Sequence, residues 1–141
     1  MKTRAATSSD RDAVIALWQQ CDLTRPWNDP IADFDRAMRW AGSVILVAEG
    51  DDELLATAMV GYDGHRGWVY YLAVSPTRQR SGLGKAIMAA AQDWLAEKGS
   101  PKIQLMVRIN NERALKFYES LGLDRQNVAT FGQFLDVDQQ R

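Results

Sequence analysis

Residues 71–87 read Tyr71-Leu72-Ala73-Val74-Ser75-Pro76-Thr77-Arg78-Gln79-Arg80-Ser81-Gly82-Leu83-Gly84-Lys85-Ala86-Ile87. An apolar strand ends at Val74, Pro76 turns the chain, and a basic loop carrying Gly82 and Gly84 runs into an amphipathic helix. The start of a helix leaves amide N–H groups without intrahelical acceptors and carries the positive end of the helix dipole. The stretch therefore predicts an anion site, most naturally for a pyrophosphate.

Two hydrophobic periodicities alternate on either side of this loop, without a linker or an internal repeat. Upstream, Thr3 to Ala5 fits a short strand. Ser8 or Ser9 can cap a helix whose apolar positions are Val14, Leu17, Trp18 and Cys21. The segment Thr24-Arg25-Pro26-Trp27-Asn28-Asp29-Pro30 reads as a loop, and a second helix follows with Ile31, Phe34 and Met38. Ser43 to Glu49, Leu54 to Tyr62 and Trp68 to Val74 alternate as a three-stranded meander, joined at Gly50-Asp51-Asp52 and at Asp63-Gly64-His65-Arg66-Gly67. Downstream, the helix with Leu83, Ile87, Ala91, Trp94 and Leu95 stops at Gly99. Ile103 to Val107 then reads as a strand, Glu112 to Leu121 as a helix ended by Gly122, and Val128 to Leu135 as a terminal strand pair. The order predicts one α/β (α+β) domain over residues 1–141, built on a mixed sheet.

Composition narrows the function. The net charge of −1 over 141 residues provides no basic sheath for nucleic acid. No run approaches the ~20 apolar residues of a membrane span, and Met1-Lys2-Thr3-Arg4 does not open like a signal peptide. Cys21 is the single cysteine, so no intrachain disulfide can form. One Cys and one His are too few ligands for a structural zinc site. A cytoplasmic protein without a metal is the expectation. Trp18, Trp40 and Trp94 read as core or interface residues.

Spacing separates the anion motifs. A dinucleotide-binding Gly-x-Gly-x-x-Gly would need glycine at Ile87, and a phosphate loop would need glycine at Gln79 and a hydroxyl at Ala86. The chain has instead Gln79-x-x-Gly82-x-Gly84 behind a strand ending Val74-Ser75-Pro76. This motif resembles that of the GNAT superfamily, the acetyl-CoA-dependent N-acetyltransferases. The downstream Ile103-Gln104-Leu105-Met106-Val107-Arg108-Ile109-Asn110-Asn111, with the helix through Tyr118 to Gly122, resembles the superfamily's other signature. Thr24 to Pro30 and Gly61 to Gly67 further resemble the YpeA-type bacterial acetyltransferases.

The resemblance implies a mainly antiparallel sheet with helices on both faces. Strands 68–74 and 103–107 splay apart, so that the free edge can pair with the pantetheine arm. It implies contacts from Leu72 and Val74, with the Leu72 N–H polarising the thioester carbonyl. Amides of Arg80, Ser81, Gly82, Leu83, Gly84 and Lys85 would hold the pyrophosphate, with Gln79 in the same motif; Arg78, Arg80 and Lys85 either add charge there or form a solvated basic turn. Asn111 either contacts the cosubstrate or simply caps its helix. Tyr118 resembles the family's general acid.

Acetyl transfer needs a neutral amine, and a lysine-like amine of pKa ~10.4 is neutral in only about 1 molecule in 2,500 at pH 7. No base is evident, because Trp68 and Met106 stand where relatives carry a carboxylate. Asp63, His65 and Glu49 are the titratable candidates, and a water chain is the alternative. Acceptor liners are expected among Trp27, Asn28, Asp29, Tyr62, Asp63, His65 and Tyr70, with Asp29 and Asp63 suited to a cation. The predicted partner is an amine, on a small molecule or a protein, and Phe131 and Phe134 raise a homodimer contact. A CoA-binding sensor without transfer, or an ADP-type nucleotide binder, are the competing readings.

Overall fold

A computed structural model of the chain describes residues 1–79 and 81–136. Arg80, expected among the phosphate-facing amides, lies outside the described residues. The chain divides into two units, Met1–Leu105 and Met106–Arg141.

In the first unit, strands β1 (Lys2–Ala5), β2 (Ser43–Gly50), β3 (Glu53–Tyr62), β4 (Gly67–Val74) and β5 (Ile103–Leu105) form one sheet in chain order. The first four pair antiparallel, and β5 runs parallel to β4. Helices α1 (Arg11–Gln20) and α2 (Pro30–Arg39) connect β1 to β2, and α3 (Leu83–Glu97) connects β4 to β5. The strand alternation of β2 and β3 sends apolar side chains to both faces, so each face needs its own helical cover. Val14, Leu17, Trp18, Phe34 and Ala37 cover one face over Ile45, Val47 and Ala73. Leu83, Ile87, Ala91 and Leu95 of α3 cover the other over Ala48, Ala56, Ala58, Val60 and Val69. Each fully buried Val, Leu or Ile contributes about 1.5–3 kcal/mol. Gly67 is required where α3 meets β4, since a Cβ there would lie 2.6 Å from the Leu95 methyl groups.

One local expectation changes, and two gain detail. Thr7, rather than Ser8 or Ser9, begins the first helical segment: its N–H donates to Asp10 Oδ2 at 2.8 Å, and a 3-10 turn precedes α1. Helix α2 buries Phe34 and Ala37 and leaves Ile31 and Met38 exposed. Those two lie on the flank of a narrow apolar stripe set by Phe34. Of the tryptophans expected as core or interface residues, Trp18 is fully buried, Trp94 packs partly on the α3 core, and Trp40 follows the end of α2 and is 70 % exposed.

The second unit holds α4 (Glu112–Ser120), capped by Asn111 and closed by Gly122 at φ 88°. The expected terminal strand pair is absent among the described residues, and Val128, Phe131 and Leu135 are exposed. The pattern explains this: Phe131 and Phe134 are an odd number of residues apart, so a strand would send them to opposite faces, and Gly132 interrupts the run. No helix among the described residues is long and apolar enough to cross a membrane.

Arg4 joins β1 to its neighbours, pairing with Asp10 at 2.8 Å and with Glu49 at 3.0 Å. The Arg4 guanidinium, helped by the Thr7 N–H and opposed by some desolvation, lowers the Asp10 carboxyl from 3.8 to about 2. A depressed carboxyl pKa contributes stability that is present above the unfolded value and lost as pH falls through the folded one. We predict that the difference in unfolding free energy between the wild type and Asp10→Asn, measured in urea, is constant above pH 4 and shrinks as pH falls toward 2. A difference that does not change with pH would contradict this assignment.

Candidate functional site

The loop after β4 forms from Ser75, whose backbone accepts from the Arg78 N–H at 2.9 Å, and from Ser81, whose hydroxyl donates to the Arg78 carbonyl. Gly82 is the N-cap of α3 at φ 84°, a left-handed conformation that glycine adopts at little cost. It supplies no side-chain cap. The first intrahelical bond of this turn runs from the Ala86 N–H to the Gly82 carbonyl at 3.0 Å. The N–H groups of Leu83, Gly84 and Lys85 thus have no helical acceptor, and no atom of the described residues stands within 4 Å of where a Gly82 Cβ would be. An anion fits here. Leu83 is buried in the α3 core and can offer only its amide, whereas Lys85 is exposed.

Other expected loop residues are used within the fold. Arg78 reaches Asp51 and Glu53 in the β2–β3 turn, each at 3.4 Å, so its charge is partly matched there. Gln79 Nε2 donates to the Val74 carbonyl at 3.5 Å.

The β4 strand supplies the second element. Its ladder with β5 covers Gly67↔Ile103, Trp68↔Gln104 and Val69↔Leu105 and goes no further, although β4 continues to Val74. The ladder ends because β5 itself stops at Leu105, short of the expected Val107, and β4 runs on from Tyr70 to Val74 without a β5 partner. The N–H of Ser75 bonds the Leu55 carbonyl of β3 at 2.8 Å. Since backbone groups alternate along a strand, those of Leu72 and Val74 face the open edge. The Val74 carbonyl already accepts from the Cys21 thiol at 3.1 Å as well as from Gln79, which leaves its N–H as the available group. The side chains of Leu72 and Val74 pack toward the α3 core, so any contact at this edge is through backbone.

A β-bulge lies beside that edge. Thr57 pairs with Ala73 and Met59 with Tyr70, so Ala58 faces both Tyr71 and Leu72. Tyr71 has φ 52°, a genuine outlier for a bulky residue. Its ring stacks on Trp18 with centroids 3.9 Å apart, its hydroxyl donates to Asp33 Oδ2 at 2.7 Å, and its carbonyl accepts from Thr57 Oγ1 at 3.2 Å. Burial, then the Asp33 hydrogen bond and charge, push the Tyr71 phenol well above its ordinary value. Sequence reading missed this set. The available signal was the doubled Tyr70-Tyr71: Gly67 and Val69 face α3 before it, Leu72 and Val74 after it, a change of parity that an unbroken strand cannot make.

Of the expected acceptor liners, the structure groups few. Asp29 Oδ1 accepts from the N–H groups of Ile31 and Ala32 at 3.0 and 3.3 Å, the work of a helix cap. Trp27 is 40 % exposed in the loop before it. Tyr62 packs on the α3 face of the sheet, whereas Trp68 and Tyr70 alternate onto the other face, stacked 6.4 Å apart. Asp63 Oδ1 accepts the N–H groups of His65 and Arg66, both at 2.8 Å, and these bonds hold its carboxyl below the usual range. Glu49 is lowered too, chiefly by its hydrogen bond from Arg4. Neither carboxylate is suited to take a proton at neutral pH.

In the second unit, Asn111 Oδ1 accepts from the Ala114 N–H at 3.1 Å, so this side chain caps α4. Tyr118 stands seven residues further along, in α4, its ring edge-on to Phe117, and burial pushes its phenol up to about 12. No group of three His, Cys, Asp or Glu placed to hold a metal occurs among the described residues.

The chain belongs to the acetyltransferase (GNAT) family, whose model matches residues 8–123. Solved structures share the fold. A transcriptional regulator from Bacillus halodurans C-125 superposes with a TM-score of 0.81 at 20 % identity, covering 94 % of this chain and 99 % of its own. AAC(6')-Iy, in complex with the bisubstrate analog CoA-S-monomethyl-acetylneamine, gives 0.81 at 18 % identity, with 94 % and 97 % covered. The ribosomal-protein-S18-alanine N-acetyltransferase from Escherichia coli gives 0.75 at 24 % identity, with 86 % and 76 % covered.

The Gly82 geometry has a direct consequence. Gly82→Ala should destabilise the protein by about 1–2 kcal/mol, the cost of a left-handed alanine, because its added methyl meets no neighbour among the described residues. Urea unfolding checks this, and a loss well above ~3 kcal/mol would mean that the methyl displaces the loop.

Proposed function

We propose that the chain, as one N-acetyltransferase domain over residues 1–141, moves an acetyl group from acetyl-CoA to a primary amine by direct attack. The observation that carries this reading is the joint presence of the uncapped α3 start and the open β4 edge. The loop amides would hold the pyrophosphate, the backbone of Leu72 and Val74 the pantetheine arm, and the Leu72 N–H the thioester oxygen. The amine nitrogen bonds to the carbonyl carbon, the C–S bond breaks, and the thiolate receives a proton from Tyr118.

A phenol raised to about 12 stays protonated across the working pH range, as an acid must. The surplus proton of the amine passes to water, since Asp63 and Glu49 are held ionised by their own hydrogen bonds. The acceptor approaches across the face of Trp68 and Tyr70, next to the bulge, where Asp63 favours a cation. Bisubstrate capture by AAC(6')-Iy supports an amine acceptor of this general kind. The second reading, a module that holds CoA without transferring acetyl, draws on the same lack of a dedicated base.

Acetyl transfer from acetyl-CoA to a panel of small-molecule and peptide amines separates the two. With an accepted amine, Tyr118→Phe should lower kcat by roughly 10²-fold or more, with the KM for acetyl-CoA little changed. The wild-type rate should climb with pH as the amine deprotonates, without a Tyr118-dependent fall below about pH 10. Tight CoA binding with no transfer to any amine favours the sensor, and a Tyr118→Phe enzyme of wild-type rate removes the general acid.

A further inference from the structure

Thr57 is fully buried in the middle of β3. A hydroxyl in an apolar core persists where it has partners, and Thr57 has two. Trp18 Nε1 lies 3.2 Å from Thr57 Oγ1, and Thr57 Oγ1 lies 3.2 Å from the Tyr71 carbonyl oxygen. Indole nitrogen can only donate, so it occupies an acceptor position of the Thr57 oxygen. The single Thr57 proton is then directed to the carbonyl of Tyr71.

That carbonyl shares a peptide group with the N–H of Leu72. The peptide is planar and trans, so its C=O and N–H point in opposite directions. Anchoring the Tyr71 oxygen on Thr57, at the β3 side, therefore turns the Leu72 N–H to the open edge of β4. Donation into a carbonyl also polarises its amide and strengthens the N–H at the far end. We infer that Thr57 is a positioning residue for acetyl transfer, aiming and strengthening the Leu72 N–H through the Tyr71 peptide, with Trp18 fixing the direction of its hydroxyl. This rests on the proposed role of the Leu72 N–H toward the thioester.

The rest of the bulge serves the same end. Tyr71 holds φ 52° against the ordinary preference of its residue type, and two side-chain contacts retain it there: the stack on Trp18 and the hydroxyl bond to Asp33 of α2. Asp33 is itself paired with Arg36 at 3.2 Å. A regular strand at this position would free the Thr57 hydroxyl and rotate the Leu72 amide.

The test is isotope-edited infrared spectroscopy of acetyl-CoA labelled with 13C at the thioester carbonyl, bound to wild type, Thr57→Val and Thr57→Ser, together with kcat and KM. In the wild type the bound carbonyl should absorb at lower frequency than in free acetyl-CoA. Thr57→Val should return part of that shift and lower kcat by about 10-fold, within the range a weakened oxyanion donor allows. The acetyl-CoA KM should move by less than about threefold, and Thr57→Ser should restore frequency and rate. A merely structural threonine would alter melting temperature without moving the carbonyl band. Should Thr57→Val not fold, Trp18→Phe, which removes the hydrogen bond that orients the hydroxyl and also shrinks the ring stacked on Tyr71, should give a shift of the same sign. A shifted wild-type carbonyl that neither variant moves overturns the positioning role alone. An unshifted wild-type carbonyl overturns both this inference and the oxyanion role of Leu72.

Discussion

Tyr71 occupies a left-handed conformation in the middle of a strand, and much of the first unit is arranged to keep it there. A tyrosine in that region costs on the order of 1–3 kcal/mol, and it persists only when its surroundings over-determine it. Trp18 from α1, Asp33 from α2 and Thr57 from β3 each hold a different part of the residue. The two early helices therefore do more than cover a face of the sheet. They fix the kink in β4, and that kink changes which side chains of the strand face α3 and which face α1 and α2. On one side of it Trp68 and Tyr70 make a half-exposed aromatic surface; on the other, Leu72 and Val74 present backbone to the open edge.

The two ends of the donor half follow from separate causes. At the loop, the decisive feature is what the residues withhold: Gly82 caps α3 without a side chain, so the first-turn amides stay available. At the strand, it is the short ladder with β5, three residue pairs long, that leaves backbone unpaired. Both are exceptions to the rule that backbone groups find partners within the fold, and they occur at the two ends of the same segment, residues 70–85.

Much of this was legible in the sequence because the signals were local. Glycine spacing, Pro76 and the apolar alternation of 43–62 located the loop, the meander and α3 to within a residue or two. Gln79-x-x-Gly82-x-Gly84 with Tyr118 pointed to the acetyltransferase family that the match over residues 8–123 establishes. What escaped was long-range. The two hydrogen bonds and the ring stack that hold Tyr71 join residues 14, 38 and 53 positions apart, and no window of sequence contains them. Arg78, open in the sequence to a phosphate or a solvated-turn role, meets acids of the β2–β3 turn, and Trp40, open to a core or an interface role, stands exposed. The terminal strands failed for a pattern reason, since Phe131 and Phe134 cannot share a strand face. Acceptor residues were the least legible, because Asp29 and Asp63 carry turn and cap chemistry that uses their carboxylates locally. The YpeA-type likeness rests on those same loops.

The most direct test of the account is an amide chemical-shift titration of 15N-labelled protein with CoA. Saturable changes are expected at Ser81 to Lys85 and at Leu72 and Val74, joining the loop and the strand edge into one site. Saturable binding that leaves those amides unmoved, or no binding at all, would contradict it.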